Sequence, residues 1–194
     1  MNPIDVKSRL EKEFPGIEIK IINNGLVLKA EDLPRVAKFL KESEEFKMNY
    51  LSCITAVDYL DSLESVYNLY SVDKRTGPMI LKVRVPRDNP KIPSLVDLYR
   101  GAEYQEREAY DMMGIIYEGH PDLRRIFMWE GFAGHPLRKD YIPEDEDVLE
   151  WEDVEWLERH GVTVPKEYKE FARQLKEAGK EARAERPKAA SEFK

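Results

Sequence analysis

The sequence holds a single cysteine, Cys53, in 194 residues. One thiol excludes an internal disulfide, and it excludes a cysteine-ligated cluster held by this chain alone. Cys53 sits within an apolar, strand-like run at 48–59, where a free cysteine acts as a small hydrophobe. Glutamine and asparagine are scarce, and histidine occurs only at His120, His135 and His160. No apolar run approaches the roughly 18 residues that a membrane-spanning helix needs. The first ten residues are polar and offer no signal-peptide core, which leads us to expect a cytoplasmic protein, or one peripheral on the cytoplasmic side of a membrane. There is no Gly-x-Ser-x-Gly turn, no phosphate-binding glycine loop and no Gly-x-Gly-x-x-Gly. These absences leave no case for a self-contained active site.

Charge is abundant: 36% of residues are charged against 42% apolar, with a net charge of -7. Acidity argues against a nucleic-acid partner, since phosphate binding wants a basic face. Plentiful Lys and Glu beside few amides lean toward a thermophilic balance, because ion-pair networks gain at high temperature. The length suits one domain with an extension, or two small units.

The chain reads as α+β. Asn2 and Pro3 open a helix over 3–14, with Ile4, Leu10 and Phe14 turned inward, and Pro15-Gly16 closes it. Two strands at 17–22 and 26–29 flank Asn23-Asn24-Gly25, a hairpin signal. Residues 31–46 form a helix with Leu33, Val36, Ala37 and Leu40 at i, i+3, i+4 and i+7. A central strand at 48–59 and a hairpin of 65–72 with 79–85 follow. In the last of these Met79, Leu81, Val83 and Val85 alternate with polar or exposed positions. The expected fold is a small mixed or antiparallel sheet with helices on one face, then an extended C-terminal segment and a charged helical tail. Ser94 is placed to cap a helix through Tyr99. A second helix runs over 102–113 and stops at Gly114, with Glu103–Arg107 and Arg107–Asp111 at i, i+4. The divisions are 1–100, 101–143 and 144–194. The last carries a carboxylate-rich run at 144–158 and a charged helix at 165–188, and it ends in residues too polar to pack.

Chemistry concentrates in 101–141. Two Gly-His-Pro turns, at Gly119-His120-Pro121 and Gly134-His135-Pro136, are each followed by arginine. A metal site of His120, His135 and Asp111 is one reading, but the histidines lie in separate turns without a close-spaced partner; rings that satisfy backbone groups are the simpler one. Arg107, Arg124, Arg125 and Arg138 interleave with Tyr110, Met112, Met113, Phe127, Met128, Trp129 and Phe132. Arginine, methionine and aromatics together are the composition of an interface core. The same residues also suit an ion-pair network between the 103–111 helix and Arg124 and Arg125 inside one chain. Both readings stand, and they are compatible. The acidic run at 144–158 with its two tryptophans also admits a small adaptor.

Glu106-Arg107-Glu108, Asp111, Gly114, His120-Pro121-Asp122-Leu123-Arg124-Arg125-Ile126, Gly131-Phe132 and Gly134-His135-Pro136-Leu137-Arg138-Lys139-Asp140 occur in that order. This series resembles the signature of the 30 kDa subunit family of respiratory NADH dehydrogenase, complex I, which includes the equivalent subunit of archaeal membrane-bound [NiFe] hydrogenases and sulfur-reducing complexes. The resemblance covers about 31–141. It implies an α/β domain of the peripheral arm, with no cofactor, metal, catalytic residue or small-molecule substrate of its own. It implies a scaffold that braces a hydrogenase-like large catalytic subunit, bearing a quinone or nickel-iron site, against the small subunit with the last iron-sulfur cluster. The interface residues it implies are Glu106, Arg107, Asp111, His120, Arg124, Arg125, Trp129, Phe132, His135, Arg138, Lys139 and Asp140. Met128-Trp129-Glu130 departs from the Asp-aromatic pair of many members, and Glu130 is the expected substitute. The Lys/Glu-rich cast and short N-terminal part look closer to the equivalent chain of an archaeal hydrogenase or sulfane sulfur reductase than to that of a bacterial NADH–quinone enzyme.

Overall fold

The structure, a computed structural model, describes residues 2–59, 61–129, 131–141 and 151–161, together with 163, 164, 166, 169, 170, 172–174, 176 and 177. It divides into two units, Met1–Tyr141 and Ile142–Lys194. The boundary expected between 100 and 101 therefore falls inside the first unit.

Helix α1 spans Pro3–Glu13, and the Asn2 side chain caps it by accepting from Ile4 N at 3.0 Å. Its inward residues are Val6 and Leu10; Ile4, expected inside, is 61% exposed. Strands β1 (Lys20–Ile22) and β2 (Gly25–Leu28) form the hairpin. The residues at positive φ in its turn are Asn23 and Asn24, and Gly25 belongs to the strand. A Cβ on Gly25 would sit 2.8 Å from Lys82 Cε and 3.2 Å from Ile80 Cγ2, so close strand packing is what needs glycine there. Helix α2 (Leu33–Glu42) buries Leu33, Val36, Ala37 and Leu40, the stripe that helical spacing specifies.

Strands β3 (Tyr50–Tyr59), β4 (Ser62–Ser71) and β5 (Thr76–Pro86) complete a five-stranded mixed sheet in the order β1-β2-β5-β4-β3. Only the β2–β5 pair is parallel within it. β3, expected at the centre, is an edge strand. Its apolar character has another cause: helix α3 (Ala102–Met113) lies along it, and Gln105 Oε1 accepts the N–H of Ile54. One face of the sheet is set by register. Leu63, Ser65, Tyr67 and Leu69 on β4 lie opposite Val85, Val83, Leu81 and Met79 on β5, with Leu26 and Leu28 of β2 beside Leu81 and Val83. All are buried, and the apolar ones share one core with α1 and α2. Burying a Leu or Val side chain contributes about 1.5–3 kcal/mol, so this layer dominates the stability of the unit.

Residues 94–99 form no helix: 96–98 make a turn, with Ser94 Oγ accepting the Val96 N–H at 3.2 Å while its hydroxyl donates to Glu106. Short strands β6 (Lys91–Pro93) and β7 (Ile116–Glu118), which sequence patterning does not reveal, pair in parallel on either side of α3 in the chain. Helix α3 ends as expected at Gly114, φ +76°.

In the second unit, α4 (Trp151–Arg159) contributes Val154 to a small cluster with Val164 and Ala172. Part of the expected 165–188 helix is described, and its described members at 166, 169, 170, 172–174, 176 and 177 are helical. Residues 144–150 and 182–194 lie outside the described residues, as does Glu130. Among the described residues no helix is long and apolar enough to cross a membrane.

Candidate functional site

After β7 the described chain runs from Gly119 to Tyr141 without helix or strand. None of the described residues from 121 to 141 is fully buried. Hydrophobic burial is therefore a minor hold on this strap, with the partly buried Leu123 packed against the core. Buried carboxylates of the domain supply the main hold, with backbone N–H groups and arginines of the strap as donors.

Asp111, on the last turn of α3, is 0% exposed. Its Oδ2 accepts the N–H groups of Ile126, Phe127 and Met128 at 2.9, 2.7 and 3.0 Å. Its Oδ1 accepts Arg125 Nη1 at 3.0 Å. Burial alone disfavours the charge. The three N–H groups and the guanidinium together outweigh that, and they hold the carboxyl below its ordinary range. Arg125 also donates to the Gly134 carbonyl at 2.9 Å, which closes the strap on itself. Arg107, 6% exposed, gives Nε to the Arg124 carbonyl at 3.1 Å and Nη2 to the Arg125 carbonyl at 3.4 Å. The i, i+4 ladder through Glu103, Arg107 and Asp111 is thus replaced. Arg107 and Asp111 turn inward to a segment more than a dozen residues away, where buried donors and acceptors make stronger bonds than an exposed helix pair.

A second carboxylate anchors the far end of the strap. Asp58 on β3 is 5% exposed and accepts the Lys139 N–H at 2.8 Å. It also pairs with Arg87, whose Nη1 lies 2.7 Å from Asp140 Oδ2. Burial works against the charge of Asp58, but the Lys139 N–H and Arg87 outweigh it and lower its pKa. Arg138 Nη2 reaches the Arg87 carbonyl at 3.3 Å. Sequence reasoning found Arg138, Lys139 and Asp140 but missed Asp58 and Arg87. A carboxylate inside an apolar strand run and an arginine beside Pro86 were the available signals.

The histidines act as the simpler reading expects. His120 Nδ1 accepts the Asp122 N–H at 3.0 Å, so Nε2 carries the proton and donates to the Glu103 carbonyl at 3.0 Å. His135 Nδ1 bonds the Asp111 carbonyl at 3.0 Å, and burial lowers its pKa. Its ring lies over Gly114, where a Cβ would come within 2.6 Å of Cδ2 and Nε2. This geometry lends the metal reading no support. Both rings serve backbone groups, the Asp111 carboxylate is occupied by four donors, and among the described residues no three His, Cys, Asp or Glu side chains gather as metal ligands.

The residues expected at an interface thus divide. Glu106, Arg107 and Asp111 are buried within the first unit. His120, Arg125, His135 and Arg138 are half-buried and hold the strap. Arg124, Trp129, Lys139 and Asp140 are exposed, and Arg124 pairs with Asp122 at 2.9 Å. Trp129 packs edge-on against Phe132 at 4.7 Å between ring centroids, and Phe132 stacks on Tyr141 at 6.1 Å. Even so, Trp129 is 69% exposed, with Phe127 at 60% and Leu137 at 59%. What the strap presents outward is a row of large apolar side chains on a polar-bonded backbone.

The fold occurs in a respiratory membrane complex: it matches a chain of the archaeal membrane-bound sulfane sulfur reductase with a TM-score of 0.60 at 21% identity, over 84% of this chain and 94% of that one. Sequence likeness is closer elsewhere. A chloroplast NAD(P)H-quinone oxidoreductase subunit of Chaetosphaeridium globosum is 46% identical over 138 residues, 69% of this chain and 77% of its own length. An NADH-quinone oxidoreductase subunit of Moorella thermoacetica is 42% identical over 136 residues, 68% of this chain and 90% of its own. The family described as the 30 Kd subunit of respiratory-chain NADH dehydrogenase is matched by residues 26–147, and the chain belongs to it. It is accordingly one subunit of a multi-subunit, complex I-like oxidoreductase.

Proposed function

We propose that this chain is a non-catalytic scaffold in the peripheral arm of such a complex. It braces a hydrogenase-like large subunit against the small subunit that carries an iron-sulfur cluster, and supplies no cofactor of its own. The observation that carries this reading is the strap: fixed from beneath by Asp111 and Asp58, it exposes Phe127, Trp129 and Leu137. Large exposed apolar side chains on a rigid support are what a stable interface requires. Between quinone-type and hydrogenase- or sulfur-type chemistry, the 46% and 42% identities to quinone oxidoreductase subunits favour the quinone type over the archaeal kind expected from composition.

The test is purification of a tagged copy from solubilised membranes of the source organism, with mass spectrometry of what accompanies it. The expected company is the large subunit and the cluster-bearing small subunit. Trp129→Ala should weaken that association by a hot-spot margin of about 2 kcal/mol, roughly 30-fold, with the chain still folded. Recovery of the wild-type chain alone would refute the scaffold reading.

A further inference from the structure

Helix α3 buries a second carboxylate that the strap does not use. Glu106 is 0% exposed. Its two oxygens meet neutral donors: Ser94 Oγ at 2.6 Å and Leu95 N at 2.8 Å. Among the described residues no cation offsets its charge, because Arg107 beside it turns away to the strap carbonyls. The titratable groups facing it are Tyr67 from β4 and Tyr117 from β7, both fully buried. Tyr117 OH shares a hydrogen bond of 2.9 Å with Ser65, and the Tyr67 OH also lies close to that hydroxyl. Burial raises the pKa of both phenols, and the nearby Glu106 raises them further, so both remain neutral.

Asp111 makes the contrast. It too is closed to solvent, though less deeply set than Glu106, and it has three backbone N–H groups and a guanidinium. Without such compensation, a buried carboxylate relieves its cost by taking a proton. Burial pushes the Glu106 carboxyl up to about 7, against the opposing Leu95 N–H and Ser94 hydroxyl.

We infer that Glu106 is a proton-binding site built into the core: the folded chain takes up one proton there that the unfolded chain does not hold, and losing it leaves an uncompensated charge inside the fold. The proton comes from solvent. In the neutral acid Oε1 keeps the Leu95 N–H, while Oε2 carries the proton and its hydrogen bond with Ser94 Oγ reverses direction, the serine hydroxyl becoming the acceptor. The ionised carboxylate keeps both hydrogen bonds but has no cation to offset its buried charge, and protonation removes that charge. Ser94 N also donates to the Glu118 carbonyl at 2.8 Å, so the turn ties β6 to the end of β7, from which the strap departs.

The sign is set by the direction of the shift. A folded pKa raised above the unfolded value of 4.5 gives stability that is complete below that value and is lost as pH rises toward about 7. Carbon-detected NMR titration of the glutamate carboxyls of the full chain should show one midpoint near 7, missing in Glu106→Gln. Glutamates that all titrate in the ordinary carboxylate range would overturn the inference, and that outcome needs no variant. Urea unfolding provides the second readout. From pH 4.5 to 7 the wild-type unfolding constant should gain about 80-fold from this group, and Glu106→Gln should lack that rise. Parallel pH curves for the two proteins would also overturn it.

Discussion

Asp111→Asn preserves the size of the side chain and removes its charge. Three backbone N–H groups converge on Oδ2 at 2.7–3.0 Å, and Arg125 takes Oδ1 at 3.0 Å. An amide has one acceptor oxygen, so its NH2 must face either the three N–H groups or the guanidinium. With the Arg125 side chain only 19% exposed, its charge would be left partly buried. Breaking a buried pair of this kind costs about 3–5 kcal/mol. That is a large share of the roughly 5–15 kcal/mol that holds a domain folded. The strap buries no described residue fully, so the loss should fall there first, as local opening. Hydrogen exchange on the full chain is the assay. Amides of Ile126, Phe127 and Met128 should exchange at least about a hundredfold faster, while those of β4 and β5 change little. A pH limb accompanies this. The Asp111 pKa is lowered, so its contribution is present above the ordinary carboxylate value and is lost as pH falls through the lowered one. Unchanged exchange at 126–128 would refute the anchor, and equal acceleration in β4 and β5 would place its effect in the core instead.

Two further outcomes rest on the same geometry. Asp58→Asn should free the Lys139 N–H and unbalance Arg87, so limited trypsin digestion should cut near Arg138 and Lys139 well before it cuts the sheet. Gly114→Ala should cost about 1–2 kcal/mol from its left-handed backbone alone, with more from the clash with His135; the clash portion, read from urea midpoints, should vanish when His135→Ala is combined with it.

Much of the fold was legible because its causes are local. The Leu33–Leu40 stripe, the alternation on β5, the Asn2 cap and the Gly114 stop each follow from spacing or backbone chemistry within a few residues. The candidate site was legible in composition but not in connection. Helical spacing offered Arg107 a partner at Asp111, yet each finds better partners on residues 124–128, which no local rule ranks. Asp58 hid within a strand whose apolar neighbours suggested only a core. β3 read as central because α3 covers its edge, and coverage by a helix leaves the same apolar signature as a second strand. The β6–β7 pair joins three-residue strands on either side of α3, too short and too far apart for periodicity to reveal.

The parallel pairing of β2 with β5 constrains how the protein is made. Gly25 pairs with Ile80, and Leu28 with Val83. On the ribosome the β1–β2 hairpin emerges first, and Leu26 and Leu28 must wait for a strand that is translated only after α2, β3 and β4. Such late closure between distant parts of the chain is slow and leaves apolar edges open in the interval. A nascent chain released within β4 would keep a hairpin with no sheet to join. The N-terminal half is therefore not a module that could be exchanged, shortened or expressed apart from the strand that completes it.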